Sequence, residues 1–186
     1  MSSPDTFSTE DRLPPRSATP RAGDLWLIDG PSGAGKSSLA ESLARQHPIL
    51  QVVHLDDVYP GWHGLDAAIR QVATGVVAPY RSGAVGRCRL WDWAADAPGG
   101  WFGIDPERPL LVEGCGAFGT DIAASGSATP GRRRIWLDAD PIERKRRALT
   151  RDAGAFDPWW DVWDAQWRAY VADVDPETRA TERLRS

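Results

Sequence analysis

Eight consecutive residues, Gly30-Pro31-Ser32-Gly33-Ala34-Gly35-Lys36-Ser37, match the pattern Gly-x-x-x-x-Gly-Lys-Ser/Thr in full. Each residue type has a physical job. The glycines let successive backbone N–H groups turn inward and approach phosphate oxygens closely. A helix opening after the loop adds the positive end of its dipole to the same point. Lys36 would reach the β- and γ-phosphates, and the Ser37 hydroxyl would ligate Mg²⁺, with Ser38 beside it. Lysine occurs only at Lys36 and Lys145 in a chain otherwise rich in arginine, so its retention at Lys36 is informative. The chemistry implied is the binding of a nucleoside triphosphate. What is then done with it has to come from acids and arginines elsewhere.

Three acidic positions follow short apolar runs. Asp56 and Asp57 come after Leu50–Leu55, Glu113 after Leu110–Val112, and Asp138 and Asp140 after Arg134–Leu137. In a parallel sheet the ligand gathers beyond the carboxyl ends of the strands, where these acids would stand. A carboxylate facing the γ-phosphate can take the proton of an acceptor hydroxyl, and Asp56 is the candidate general base. Glu113 is the candidate for holding Mg²⁺ or its water shell. Asp57 has a cap as its bland reading, and Asp140 reads as the cap of a helix opened by Pro141.

Arg144, Arg147 and Arg151 fall on one face of that helix, suited to the charge that phosphoryl transfer spreads over the γ-oxygens. Arg132, Arg133 and Arg134 sit at the start of a strand and read as surface. Between the second and third strands lie Arg81, Arg87, Arg89, Trp91, Asp92 and Trp93. There Trp91 or Trp93 could stack on an acceptor, Asp92 could bond a sugar hydroxyl, and the arginines could hold an acceptor phosphate.

These residues need elements to carry them. Leu25–Ile28 reads as a buried strand and Ser37–Gln46 as a helix with Leu39, Ala40, Leu43 and Ala44 on one stripe. Leu65–Ala73 reads as a second helix, stopped at Gly75. The stretch from Val77 to Asp105 reads as Gly/Pro-rich loop with one short strand near Arg87–Trp91. Residues 119–131 read as loop with a short helix near Ile122. A last helix is expected from Asp157-Pro158 to about Asp173, with Trp160, Trp163 and Trp167 as a core stripe and Trp159 exposed. His54 reads as structural. Strands alternating with helices give an α/β domain with a mostly parallel sheet.

Composition narrows the classes. The chain has 186 residues and a net charge of −4, which disfavours a dedicated nucleic-acid binder. No run reaches the ~18 apolar residues of a membrane span. With no apolar leader and two cysteines, Cys88 and Cys115, the expected location is cytoplasmic. The absence of asparagine removes the Asn-Lys-x-Asp guanine reader and so disfavours a GTPase switch.

The order of phosphate loop, Asp56-Asp57-Val58-Tyr59 after the second strand and Glu113-Gly114 after the third resembles the uridine kinase-like group of P-loop kinases. The resemblance spans about residues 24–152. It implies that Asp56 activates a nucleoside 5′-hydroxyl and that Tyr59 stands near the nucleoside. It also implies that Arg146-Arg147 and Arg151-Asp152 belong to a mobile lid. The group normally ends on a further strand after the lid, and nothing after Val171 is apolar enough to supply one.

The reading is therefore a P-loop NTPase fold: a small, mostly parallel sheet with helices on both faces over residues 23–175. It carries an acceptor insert at about 59–105 and a lid at about 144–160, with a disordered tail over 1–22 and a frayed one over 176–186. Its expected activity is transfer of the γ-phosphoryl of ATP, with Mg²⁺, to a hydroxyl of a small molecule, a nucleoside first. Another metabolite such as a sugar acid, a nucleoside monophosphate, or a non-catalytic ATP-binding regulatory role are the alternatives. No nucleic acid or membrane partner is expected, and the oligomeric state is left open. The expected catalytic set is Lys36, Asp56, Arg147 and Arg151. The expected acceptor set is Asp57, Tyr59, Arg81, Arg89, Asp92 and Trp93.

Overall fold

The computed structural model describes residues 19–124 and 131–186. The expected tail through residue 18 and the loop at 125–130 lie outside the described residues. Strands β1 (Leu25–Asp29), β2 (Gln51–His54), β5 (Leu110–Glu113), β6 (Arg133–Asp138) and β7 (Glu182–Arg185) form one five-stranded sheet in the order β2-β5-β1-β6-β7. Every pairing in it is parallel, and β1 is central. A parallel sheet is buried on both faces, and the β1 run Leu-Trp-Leu-Ile is buried throughout. The period of two sends Leu25 and Leu27 into the larger core with α6 (Trp160–Val174). Trp26 and Ile28 go into a smaller one with Ala40 and Leu43 of α1 (Lys36–Gln46).

The insert between β2 and β5 is more ordered than its composition suggests. Helix α2 (Leu65–Val72) does not stop at Gly75. It runs on through a π-helical turn at Ala73–Val77 into α3 (Ala78–Arg81). The glycine serves a different need: a Cβ there would collide with the Arg87 carbonyl, so Gly75 lets a strand cross close to the helix. That strand is β3 (Gly86–Asp92), paired antiparallel with β4 (Ala97–Ile104). A two-stranded hairpin thus replaces the expected loop. Its second strand, with Pro98, Gly99, Gly100 and Gly103, has poor strand propensity and is held by its partner.

Helix α4 (Ala117–Ala123) covers the expected short helix near Ile122. Helix α5 (Pro141–Arg151) is capped as expected, with Asp140 Oδ1 accepting from the N–H groups of Ile142 and Glu143 at 3.0 Å each. In α6 the stripe of Trp160, Trp163 and Trp167 is buried, and Trp159 is exposed.

Two expectations fail at the sheet's far side. The C-terminal segment is not frayed: β7 pairs with β6 from Ile135–Glu182 to Asp138–Arg185 and supplies the last strand. Its residues are polar because it is an edge strand, with Leu184 alone packing inward. Nor are the three arginines at the start of β6, Arg132 to Arg134, a free surface. Arg132 and Arg134, with Arg81, converge on the fully buried carboxylate of Asp121. Arg133 pairs with Glu182 and lies over the Trp26 ring. A carboxylate buried without such partners would be strongly destabilising.

Candidate functional site

The carboxyl ends of β1, β2 and β5 open into a cavity of about 880 Å³, roofed by α5 and the start of α6. Ser32, Gly33, Gly35, Lys36, Ser37 and Ser38 line its floor. Gly30, Pro31 and Ala34 do not line it; they shape the loop. Gly30 has φ +148° and Gly33 φ +79°, and a Cβ would collide with the Leu137 carbonyl at the first and the Arg144 carbonyl at the second. The loop is therefore clamped between the end of β6 and the first turn of α5. Behind it stands Asp29, a residue the sequence reading passed over. It is fully buried, and its carboxylate accepts from Gly30 N (2.8 Å), Gly116 N (3.0 Å), Phe118 N (2.9 Å) and Tyr170 Oη (2.6 Å). Burial raises its pKa, and these four donors oppose the rise.

Lys36 is buried, with Nζ donating to the Pro31 carbonyl at 2.9 Å and lying 3.6 Å from Cys115 Sγ. Burial disfavours its charge. Cys115, Glu113, Asp56 and Asp29 more than offset that and hold the ammonium above its ordinary value. Asp56 lies across the cavity, its carboxylate 3.5 Å from the Arg151 guanidinium and half exposed to the open space. Desolvation first and Glu113 second push its pKa up, against Lys36 and Arg151. Glu113 is almost fully buried and bonded at 2.6 Å to His54 Nδ1, which raises the His54 pKa despite desolvation. That partnership is visible only once β2 and β5 are known to be neighbours.

The arginine face of α5 divides. Arg147 and Arg151 line the cavity. Arg147 is steadied by Glu143 at 2.8 Å and the Ser186 hydroxyl at 3.0 Å, and Arg151 by a two-pronged contact with Asp152 at 2.7 and 2.9 Å. Arg144 turns to Asp164 and the Trp160 ring instead.

The expected acceptor set also divides. Asp57, Tyr59 and Trp93 line the cavity, and the Trp93 indole N–H donates to the Asp56 carbonyl at 2.8 Å. The Tyr59 hydroxyl donates to the Cys115 carbonyl at 2.8 Å. Arg81, Arg89 and Asp92 are not there. Arg81 serves Asp121, Arg89 lies over Trp101 on the hairpin, and Asp92 accepts from Ala94 N and Ala95 N to close the hairpin turn. The wall is completed by Trp62, Phe156 and Trp163. The sequence offered no signal for Trp62. It read Trp163 as core, which it also is, since one face of a helix can do both.

No family model matches the chain, and no curated protein matches it. Among solved structures, one described as a possible uridine kinase from Bacillus stearothermophilus aligns with a TM-score of 0.57 at 16% identity, over 90% of this chain and 91% of that one. The chain shares that structure's fold, the expected P-loop NTPase fold with a mostly parallel sheet. A candidate fructose transport system kinase from Silicibacter sp. TM1040 aligns at 19% identity over 88% of this chain and 84% of that one, with a TM-score of 0.43. The five-stranded parallel sheet places the glycine-rich loop after its central strand, β1. Among the described residues no helix is long and apolar enough to cross a membrane.

Proposed function

We propose that the protein transfers the γ-phosphoryl group of ATP to a hydroxyl of a small, unphosphorylated molecule, a nucleoside first. The observation that carries this reading is the convergence of Lys36, Asp56 and Arg151 on one cavity above the N-terminus of α1. In this reading the triphosphate lies in the glycine loop, with Lys36 against its β- and γ-oxygens. Asp56 takes the proton of the acceptor hydroxyl as its oxygen attacks the γ-phosphorus. Arg147 and Arg151 stabilise the charge spread over the transferring group.

Ser37 and Glu113 both line the phosphate end and offer hard oxygen donors. Among the described residues no group of three or more His, Cys, Asp or Glu is arranged to hold a metal by itself. That donor set fits Mg²⁺, which takes one or two protein oxygens and fills its shell with phosphates and water. When bound, it would neutralise charge on the phosphates.

The positions of the arginines favour an unphosphorylated acceptor over a nucleoside monophosphate, because Arg81 and Arg89 are engaged away from the cavity. The wall of Tyr59, Trp62, Trp93, Phe156 and Trp163 supports an acceptor with a planar or apolar face. The test is ADP release from Mg-ATP with a panel of nucleosides, sugar acids and nucleoside monophosphates. Acceptor-dependent release with a nucleoside is the expected result. No release above background with any of them would overturn the proposal and leave ATP binding as the remaining role.

A further inference from the structure

Glu113 is held in a way that its place in the cavity does not by itself require. The residue is 1% exposed, and its one hydrogen-bond partner among the described residues is His54, whose Nδ1 lies 2.6 Å from Oε1. Strand register makes the contact. β2 and β5 are parallel neighbours, and His54 stands opposite Glu113 at their carboxyl ends. An ionised carboxylate can only accept, so the Nδ1 of His54 carries the proton and donates. The second oxygen, Oε2, has no hydrogen-bond partner among the described residues, and the side chain borders the cavity with Lys36 and Ser37.

A glutamate has three side-chain torsions to settle, and a carboxylate that must meet a cation gains from having them settled in advance. Carboxylates that ligate metals are commonly held by a further hydrogen bond for this reason. The His54 ring is one-third exposed, so the core does not depend on its bulk.

We propose that His54 is a positioning residue: by holding Oε1 of Glu113 it fixes that carboxylate with Oε2 open to the phosphate end of the cavity, where it meets a divalent cation or the cation's water shell beside Ser37. This rests on the phosphotransfer reading above. His54 touches neither nucleotide nor acceptor; it acts through Glu113.

The experiment compares the full-length wild type with His54→Ala and His54→Asn. The Asn amide can stand where Nδ1 stands and donate the same bond. Two quantities are read: the affinity for ATP by calorimetry with and without Mg²⁺, and the Mg²⁺ concentration giving half-maximal turnover alongside kcat. In the wild type, Mg²⁺ should tighten ATP binding. In His54→Ala the gain from Mg²⁺ should shrink by about 10–100-fold, as for other lost partners of metal-ligating carboxylates, and more Mg²⁺ should be needed for turnover. Its affinity for metal-free ATP should not change, and His54→Asn should recover most of the loss. Wild-type Mg²⁺ dependence in His54→Ala overturns this inference alone. So does an equal weakening with and without Mg²⁺ that Asn fails to restore, because that marks a structural strand pair. A wild type that binds neither ATP nor Mg-ATP overturns the phosphotransfer reading as well.

Discussion

Under the proposed function the cavity has two ends, a phosphate end made of backbone and an acceptor end made of rings. The phosphate end is a contiguous loop between β1 and α1, pinned from behind by the carboxylate of Asp29 and from the sides by Leu137 and Arg144. The acceptor end draws Tyr59, Trp62, Trp93, Phe156 and Trp163 from three separate stretches of chain. There Trp62 stacks on Phe156 at 4.9 Å and 18°, and Trp93 leans on Trp62 at 4.9 Å and 56°. Local backbone geometry tolerates almost no substitution. A wall of packed rings can change its members while keeping its volume. In that reading one end keeps its donor while the other can exchange acceptors. Asp56 stands at the junction, its carboxylate facing Arg151 and its carbonyl held by Trp93.

The largest effect should come from removing the cation at the backbone end. Lys36→Ala should cost about 10²–10³-fold or more in turnover, the scale of losing one preorganised charge donor, and weaken ATP binding in calorimetry. Intact ATP affinity in that variant would mean that the triphosphate lies elsewhere. Asp56→Asn separates the two ends. Turnover should fall by ~10²–10⁴-fold while ATP affinity stays near normal, because only the proton acceptor is lost. The same carboxylate sets a pH limit. Desolvation and Glu113 raise its pKa, so the active, ionised form should be lost at a higher pH than for an ordinary carboxylate. Arg151 opposes that rise, so Arg151→Ala should move the acid limb of the kcat profile further up in pH.

The same division explains what the sequence could and could not disclose. Strand β1, the loop and α1 are governed by neighbours in the chain, so spacing alone specified them. That Asp56, Glu113, Arg147 and Arg151 would border one cavity was legible because a parallel sheet sends strand ends to one side, whereas the turn of Arg144 towards Asp164 was not. Three things escaped because they are set by distant partners. Strand β4 is too rich in glycine to look like a strand and exists by pairing with β3. Strand β7 looks like a polar tail because an edge buries only Leu184. Arg132 and Arg134 look like solvated charge, and Arg81 like an acceptor-side cation, because the acid they surround, Asp121, sits in a stretch that reads as loop. Trp62 carries no periodic signal at all; it is a wall residue only because Phe156 and Trp93 pack on it.

A smaller effect should mark the joint between the ends. Trp93→Phe keeps a ring in the wall and removes the indole donor to the Asp56 carbonyl. The loss of one such bond is worth ~1 kcal/mol, or roughly a fivefold change. It should appear as a raised KM for the acceptor with ATP affinity untouched. An equal loss in both would show that the hairpin supports the whole cavity and not its acceptor end.

The smallest effect is expected on the hairpin's outer face, and it tests the acceptor's chemistry. Arg87 and Arg89 both lie over the Trp101 ring, at 5.0 and 5.5 Å from its centroid, and no carboxylate pairs with either among the described residues. Two unpaired guanidinium groups would suit a phosphate, but neither lines the cavity that holds Asp56. Replacing the half-buried Arg89 by Ala removes a cation–π contact worth about 0.5–2 kcal/mol of stability. The acceptor KM should change by less than about twofold, as for surface substitutions away from a site. A tenfold rise would instead mean that the acceptor reaches the hairpin with an anionic group. That would move a nucleoside monophosphate from an alternative to first place and extend the acceptor end of the cavity beyond its ring of aromatic side chains.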